Sequence, residues 1–231
     1  MFLKRMLGAQ RKPYRGMAME GLIARWYAQN TRRGRGFHET AQAIAERLTS
    51  GSAVLEVAPG PGYLAIELAK LGSYHITGVD ISHSFVQIAS ENARQAGVTI
   101  GFRHGDVANM PFPADVFDFV VCVAAFKNFS DPVAALDEIY RVLRPGGRAS
   151  IMDLRKEARL DEIDVGVRQM QLSPLNAMLT RWTFRLMLLR TAYTRKALEA
   201  IVARSRFGRG EIIVDGIGFE LRLVKEMEIP G

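Results

Sequence analysis

Two glycines and three carboxylates carry the most specific chemical signal in this 231-residue sequence. Gly60 and Gly62 open a G-x-G-x-x-A pattern, in which glycines let the backbone approach a bound ligand closely. Glu56 precedes this loop, Asp80 follows Gly60 by twenty residues, and Asp106 comes later. A carboxylate placed like that of Asp80 can accept hydrogen bonds from both hydroxyls of a ribose. The pattern therefore indicates a ligand that contains a nucleoside.

Two classes of cofactor compete for such a loop. A dinucleotide would place its diphosphate against the loop, whereas S-adenosylmethionine (SAM) has no phosphate and carries a sulfonium and an ammonium. Glu56 beside the loop repels a diphosphate and attracts a cation, and the chain has no obvious second mononucleotide-binding half. Both points favour SAM, with S-adenosylhomocysteine (SAH) as its product, and leave an NAD(P)-dependent oxidoreductase as the alternative. No His, Asp or Glu cluster has the spacing of metal ligands, so we expect no metal.

The elements that would position these residues alternate between strands and helices. The apolar patterns predict strands over Ala53–Ala58, Tyr74–Val79, Ile100–His104, Phe117–Val123 and Arg148–Leu154, separated by helices over Gly62–Leu71, Ser84–Ala96 and Pro132–Val142. This alternation predicts an α/β fold with a doubly wound, mostly parallel sheet. Two further segments, Glu211–Asp215 and Phe219–Lys225, flank a glycine-rich connection and predict an antiparallel hairpin, placed as a reversed pair at one edge.

Four motifs in order resemble those of the class I SAM-dependent methyltransferases. They are Val54–Gly62 (VLEVAPGPG), Gly78–Ser82 (GVDIS), Gly105–Phe112 (GDVANMPF) with Phe117-Asp118 after it, and Leu143–Gly147 (LRPGG). Together they cover roughly residues 53–154. The resemblance implies a Rossmann-like sheet of seven strands with a reversed last strand, and it implies methyl transfer from SAM.

The resemblance also implies which residues hold SAM. Glu56 and the loop would hold its methionine part, Asp80 its ribose, and Asp106 its adenine amino group. Tyr27 lies on an N-terminal helix that in this family often folds over SAM. One departure is Ala58-Pro59, where the family usually has glycine and a small residue. The full predicted set is Tyr27, Glu56, Ala58, Pro59, Gly60, Gly62, Asp80, Ile81, Asp106, Val107 and Cys122.

The acceptor side is predicted from Lys127 and Asn128, which follow the fourth strand. They resemble the Arg-Asn pair of the ubiquinone and menaquinone C-methyltransferases, with lysine in place of arginine. Lys127 could orient an anionic acceptor such as a phenolate, although a solvent-facing loop lysine explains the residue equally well. A general base is needed only if the acceptor must lose a proton. His38, His83 and Tyr27 are the candidates, and we group His38 with Lys127 and Asn128 as the catalytic set.

Charge separates the chain into regions. The net charge of +7 is concentrated in residues 1–36, with nine Lys/Arg and one acid, and in residues 155–209, with twelve Lys/Arg and five acids. We predict a basic helical N-terminal segment over residues 1–40, on the lid or acceptor side. A SAM-binding domain over residues 41–231 follows, with a helical cap at 155–193. Residues 175–190 form a basic amphipathic stretch suited to lipid or to an apolar pocket.

Composition and charge limit the classes of ligand and partner that we expect. The basic segments lack interleaved aromatic residues, so nucleic acid is not favoured, and we expect a small-molecule acceptor that is fairly apolar: aromatic, quinone-like or lipid. The single cysteine and the polar start predict a cytoplasmic protein that can contact the inner membrane face. A non-catalytic module that binds anionic membrane through its basic flanks is the remaining alternative. The oligomeric state stays open.

Overall fold

The computed structural model describes residues 14–15, 19–31, 36–169 and 191–227. Its strands form one sheet in the order β3-β2-β1-β4-β5-β7-β6. The strands are β1 (Ala53–Val57), β2 (His75–Asp80), β3 (Gly101–His104), β4 (Phe117–Val123), β5 (Leu143–Leu154), β6 (Glu211–Asp215) and β7 (Gly218–Val224). The helices are α1 (Gly21–Thr31), α2 (Gly36–Ala45), α3 (Tyr63–Leu71), α4 (His83–Gln95), α5 (Pro132–Val142), α6 (Leu160–Gln169) and α7 (Arg195–Arg204).

The centre of the sheet is parallel and buried on both faces. β1 pairs in parallel with β2 on one side and with β4 on the other. Six of the seven residues of β4 are apolar, which suits a strand covered by helices on both faces. The carboxyl ends of β1, β2 and β4 therefore meet at one edge of the sheet, as predicted, and bring the loop near Asp80. The predicted fold class is confirmed.

The orientation of the last two strands corrects one prediction. β7 lies between β5 and β6 and is antiparallel to both, so β6 runs in the same direction as β1–β5. The expected reversed pair is thus wrong for β6, while the reversed last strand implied by the family resemblance is confirmed. The tight turn at Gly216 and Ile217 makes β6 and β7 antiparallel to each other. It does not determine which of the two pairs with β5.

Helix boundaries follow capping residues that the sequence displays. The Asp131 side chain accepts a hydrogen bond from the Ala134 amide, and Pro132 occupies the first turn of α5. Thr194 caps α7 in the same way. One boundary differs from the prediction: β5 begins at Leu143, directly after α5, so Pro145-Gly146-Gly147 lies within the first part of β5.

An N-terminal arm, defined as residues 14–15 and 19–31, crosses the carboxyl edge of the sheet. Tyr14 forms an isolated antiparallel bridge with Phe129, beyond the end of β4. The Glu20 carboxylate accepts hydrogen bonds from the amides of His83 and Ser84 at the start of α4, just after β2. The arm thus joins the ends of two strands that flank β1.

Part of the predicted acceptor side lies outside the described residues, namely residues 1–13, 16–18, 32–35 and 170–190, which include the amphipathic stretch at 175–190. Among the helices that the structure does describe, none is long and apolar enough to cross a bilayer.

Candidate active site

The loop after β1 contains three residues with left-handed backbone. The φ angles are +53° at Ala58, +54° at Gly60 and +80° at Gly62. A Cβ atom on Gly62 would lie 2.9 Å from Ala89 and from Phe102, so only glycine allows α3 and α4 to pack this closely. A Cβ on Gly60 would meet nothing within 4 Å. The loop is therefore tightly packed at Gly62 and open at Gly60, which leaves room for a ligand at Gly60.

Asp80 ties this loop to β2. The residue is 5 % exposed, and its two carboxylate oxygens accept hydrogen bonds from the amides of Gly60 (3.0 Å) and Ser82 (2.9 Å). Burial raises the pKa of the Asp80 carboxyl, and the two amides partly offset this effect. Each oxygen keeps a further lone pair, since a carboxylate can accept about four hydrogen bonds. Asp80 is thus held rigidly and can still bind hydroxyl groups.

Glu56 is a buried carboxyl group with an unsatisfied oxygen. It is 4 % exposed, it accepts a hydrogen bond from the Ala65 amide, and its Oε2 atom has no hydrogen-bond partner among the described residues. Burial is the main reason that its pKa is raised to about 8, and the nearby Asp80 charge adds to this. Because an isolated buried carboxylate is costly, the site is suited to a cationic group.

The adenine-side residues lie beyond β2 and β3. Asp106 follows β3, and its Oδ1 accepts a hydrogen bond from the Ala108 amide at 2.9 Å. Val107 is buried, and the Ile81 carbonyl lies 3.0 Å from His104 Nε2. Pro59 packs against β2, where a Cβ on Gly78 would lie 3.0 Å from its ring. These residues are positioned at the same sheet edge as Asp80, and their cofactor roles stay predictions.

Cys122 and Lys127 are both buried. Cys122 is fully enclosed in the core, where burial strongly raises the pKa of its thiol. Lys127 is 4 % exposed, and its ammonium donates hydrogen bonds to Asp153 Oδ1 and to the Ala124 carbonyl, both at 2.7 Å. The solvent-facing interpretation of Lys127 is therefore wrong. Contact between its ammonium and an acceptor stays a prediction, and the ammonium already has two partners.

Asn128 connects the active-site edge to the N-terminal arm. Its side-chain amide donates a hydrogen bond to the Tyr14 hydroxyl at 2.9 Å, and its carbonyl accepts one from the Arg15 amide at 2.7 Å. Tyr14 and Asp153 are not among the site residues predicted from the sequence. Asp153 is the last residue but one of β5, and a carboxylate near the carboxyl end of a parallel strand is a signal that could have identified it.

The three candidate bases lie in different surroundings. His38 is half exposed on α2, and its described partner is Glu67, at 3.1 Å between Nδ1 and Oε2. The His83 ring stacks on that of His104, with 3.6 Å between centroids. Tyr27 meets the Phe85 ring edge-on at 5.7 Å. None of these described contacts is with Lys127 or Asn128.

Comparison with known proteins identifies the central part of the chain. A family model described as "Methyltransferase domain" matches residues 55–151, from β1 into β5. Residues 55–151 are a methyltransferase domain. The matched range includes Glu56, the glycine loop, Asp80 and Asp106, whereas the N-terminal arm, α6 and β7 lie outside it.

The relatives of this methyltransferase domain include enzymes named for quinone substrates. A demethylmenaquinone methyltransferase from Deinococcus radiodurans is 38 % identical over 113 residues, which are 48 % of this chain and 47 % of that protein. A 2-phytyl-1,4-naphtoquinone methyltransferase from Synechococcus elongatus is 34 % identical over 128 residues, covering 52 % of this chain and 55 % of that protein. The chain thus spans about half the length of the curated relatives it matches.

The fold extends beyond the matched domain. A crystal structure of a SAM-dependent methyltransferase from Aquifex aeolicus superposes with a TM-score of 0.68 at 18 % identity. The superposition covers 87 % of this chain and 98 % of that chain. The methyltransferase domain and the elements around it therefore have the same fold as the Aquifex aeolicus structure.

Proposed function

We propose that the protein transfers a methyl group from SAM to a small, fairly apolar acceptor. The observation that carries this proposal is the buried, unpartnered Oε2 of Glu56 beside the open glycine loop. An ammonium group bound there would satisfy this oxygen and would stabilise the ionised carboxylate. SAM would supply a methyl group on a sulfonium, which is transferred by in-line displacement. The matches to methyltransferases argue against the oxidoreductase alternative.

Positioning supplies most of the catalysis in such a displacement, because charge is neutralised in the transition state and needs little stabilisation. The loop and Asp80 would hold the ribose side, with Asp106 and Val107 on the adenine side. The Lys127–Asp153 ion pair would fix the segment after β4 and thereby hold Asn128 toward the acceptor. In this arrangement Lys127 acts through Asp153 and the backbone.

The acceptor is proposed to be an aromatic, quinone-like molecule. Two relatives are named for naphthoquinone-type substrates, and this favours a flat ring with oxygen substituents. Residues 1–40 would cover the acceptor side, since the described part of this segment docks at the ends of β2 and β4. Residues 155–193 would complete the cover.

We also propose that α1 places the protein against an anionic membrane surface, where a quinone-like acceptor would be found. Two large apolar side chains project from α1 into solvent, with Leu22 81 % exposed and Trp26 64 % exposed. Residues 1–36, which include α1, have the strongest positive net charge of the chain. Apolar anchors combined with basic charge are typical of helices that lie in a membrane interface.

Thermal unfolding in the presence of SAM, SAH and NADH tests the cofactor assignment. We expect SAM and SAH to raise the melting temperature, by about 2.7 kcal/mol of stabilisation at a hundredfold excess over Kd, and NADH to have no effect. Asp80→Ala and Glu56→Gln should each remove the shift. Asp215→Asn, at the β6–β7 turn, is the matched control and should keep it. A shift with NADH alone would refute the proposal.

A further inference from the structure

Two tyrosine hydroxyls near the Lys127–Asp153 pair have no role in the proposed cofactor site. The first belongs to Tyr14, whose oxygen accepts the hydrogen bond from the Asn128 side chain at 2.9 Å. Tyr14 interacts electrostatically with Asp153 and also with Asp80. The hydroxyl is thus placed between the ribose side of the site and the segment after β4. Its own proton has no acceptor among the described residues.

The second hydroxyl belongs to Tyr193. Its oxygen is buried and has no hydrogen-bond partner within the described part of the chain. The Tyr193 ring packs against Phe126 at 5.6 Å, and its hydroxyl interacts electrostatically with Asp153 and Arg15. A buried polar group without a partner costs free energy. In an active site, a ligand oxygen can supply the missing hydrogen bond.

Asp153 interacts electrostatically with both hydroxyls, but three hydrogen bonds from other groups already occupy its carboxylate. Asp153 Oδ1 accepts from the Lys127 ammonium and from the Leu154 amide, both at 2.7 Å, and Oδ2 accepts from the Lys127 amide at 2.9 Å. Burial raises the pKa of Tyr14 to about 12 and also raises the pKa of Tyr193. Both phenols therefore keep their protons at neutral pH and act as hydrogen-bond donors.

The surroundings of the two hydroxyls are aromatic. Phe126 contacts both Phe129 and Tyr193, and Tyr14 bridges to Phe129 through its backbone. Phe126 is fully buried and Phe129 is 4 % exposed, so these core rings hold the two tyrosines in place.

We propose that the hydroxyls of Tyr14 and Tyr193 form an oxygen-binding subsite for the methyl acceptor. Each donates a hydrogen bond to a carbonyl or phenolic oxygen of an aromatic substrate. The subsite rests on the proposed methyltransferase function, and it selects oxygen-bearing aromatic acceptors over plain hydrocarbons of the same shape. Tyr14 contributes from the N-terminal arm, so the subsite is complete only when the arm is docked.

Binding of 1-naphthol and of naphthalene, measured by equilibrium dialysis with the SAH-loaded protein, tests this subsite. The two probes share a ring system and differ by one hydroxyl. We expect wild type to bind 1-naphthol more tightly than naphthalene. Tyr14→Phe and Tyr193→Phe should each weaken 1-naphthol binding about five- to tenfold and leave naphthalene binding unchanged. Tyr74→Phe, before β2 at the opposite edge of the sheet, is the control and should change neither.

The outcomes separate the subsite from the proposed function. If SAH binds but both Phe variants retain wild-type affinity for 1-naphthol, the subsite is refuted and the methyltransferase proposal stands. Failure of the SAH-loaded wild type to bind 1-naphthol, or equal weakening of both probes by the variants, also overturns the subsite. Absence of SAH binding by wild type refutes the proposed function itself. Each variant removes one oxygen atom. A ligand-free melting temperature near that of wild type for Tyr14→Phe, and at or above it for Tyr193→Phe, would verify that the fold is intact.

Discussion

The protonation of Glu56 should control the pH dependence of stability in the ligand-free protein. Its pKa in the folded state is about 8, against an ordinary value of 4.5. Between these values the folded state retains a proton that the unfolded state releases, so the free energy of unfolding falls as pH rises through this window. The slope is at most about 1.4 kcal/mol per pH unit. The glutamine in Glu56→Gln does not titrate, so the free energy of unfolding of this variant should exceed that of wild type toward pH 8.

Urea unfolding at pH 5, 6, 7 and 8 without ligand measures this effect. We expect the stability difference between Glu56→Gln and wild type to increase steadily with pH. Glu39→Gln, an exposed glutamate on α2, is the matched control and should follow wild type at each pH. Parallel curves for Glu56→Gln and wild type would show that the buried carboxyl is not the responsible group.

Ala58 is strained in the free protein. Its φ of +53° lies in the left-handed region, where a non-glycine residue costs about 1–2 kcal/mol. Glycine relieves this strain but raises the entropy of the unfolded chain. Ala58→Gly should therefore raise the free energy of unfolding by about 1 kcal/mol, measured by urea denaturation. Ala125→Gly, at a φ of −119°, relieves no strain and should lower it. Equal effects of the two substitutions would contradict this account.

Individual site residues differ in how well the sequence predicts their surroundings. The loop glycines and Asp80 lie at predicted positions, because a short loop after a strand fixes their geometry locally. The surroundings of Lys127 were not predictable, since its partner Asp153 is 26 residues away on the neighbouring strand. Tyr14 was missed for the same reason: its partner Asn128 is 114 residues away. Local geometry is encoded in short motifs, and contacts between distant elements are not.

At the scale of elements, the docking of α1 depends on one carboxylate. The Glu20 side chain accepts hydrogen bonds from two amides at the start of α4, at 2.9 and 3.0 Å. A hydrogen bond from the Ser84 side chain is the main reason that the pKa of Glu20 is lowered, and the two amides add to this effect. Loss of such a cap costs about 1 kcal/mol, or about fivefold in the population of the open state. Glu20→Gln should accordingly raise the rate of tryptic cleavage after Arg25 by about fivefold under native conditions.

A control variant and a measurement with SAH test whether undocking of α1 causes the faster cleavage. Glu91→Gln changes another exposed glutamate, which lies on α4 and pairs with Arg94 within the helix. It should leave cleavage after Arg25 at the wild-type rate. Saturating SAH should slow cleavage in wild type if Tyr27 on α1 contacts the cofactor, as the sequence predicts. An unchanged rate in Glu20→Gln would mean that the other contacts of α1, such as the hydrogen bonds of Gly21 with Ser84 and of Ala28 with Tyr63, are sufficient to hold it.

The elements themselves were largely predictable. Strand and helix bounds agree with the sequence patterns within one or two residues over β1–β4, because apolar periodicity, caps and glycines are local signals. The direction of β6 was not predictable, because the hairpin turn does not determine which of its strands pairs with β5. The start of β5 also differs from the predicted Arg148, because proline and glycine disfavour a strand and β5 nevertheless includes Pro145-Gly146-Gly147.

At the scale of the whole molecule, the most basic segment of the sequence, residues 1–36, includes the exposed apolar side chains of α1. Residues 1–36 hold nine Lys/Arg and one acid, against a net charge of +7 for the entire chain. Ala24 and Ala28 of α1 face the protein, whereas Leu22, Ile23 and Trp26 face outward. The arm also contains Tyr14, which belongs to the proposed acceptor subsite and contacts Asn128. A membrane surface contacted by this face would therefore lie next to the proposed acceptor site.

Co-sedimentation with vesicles tests this orientation. We expect binding to vesicles containing phosphatidylglycerol, and weaker binding to pure phosphatidylcholine, because the basic segments attract anionic lipid. The double variant Leu22→Ser/Trp26→Ser removes the apolar anchors without changing charge and should weaken binding to the anionic vesicles at least about tenfold. Val214→Ser, on the exposed edge strand β6, is the control and should bind like wild type. Equal binding to both lipids, or equal loss in the control, would exclude α1 as the contact surface.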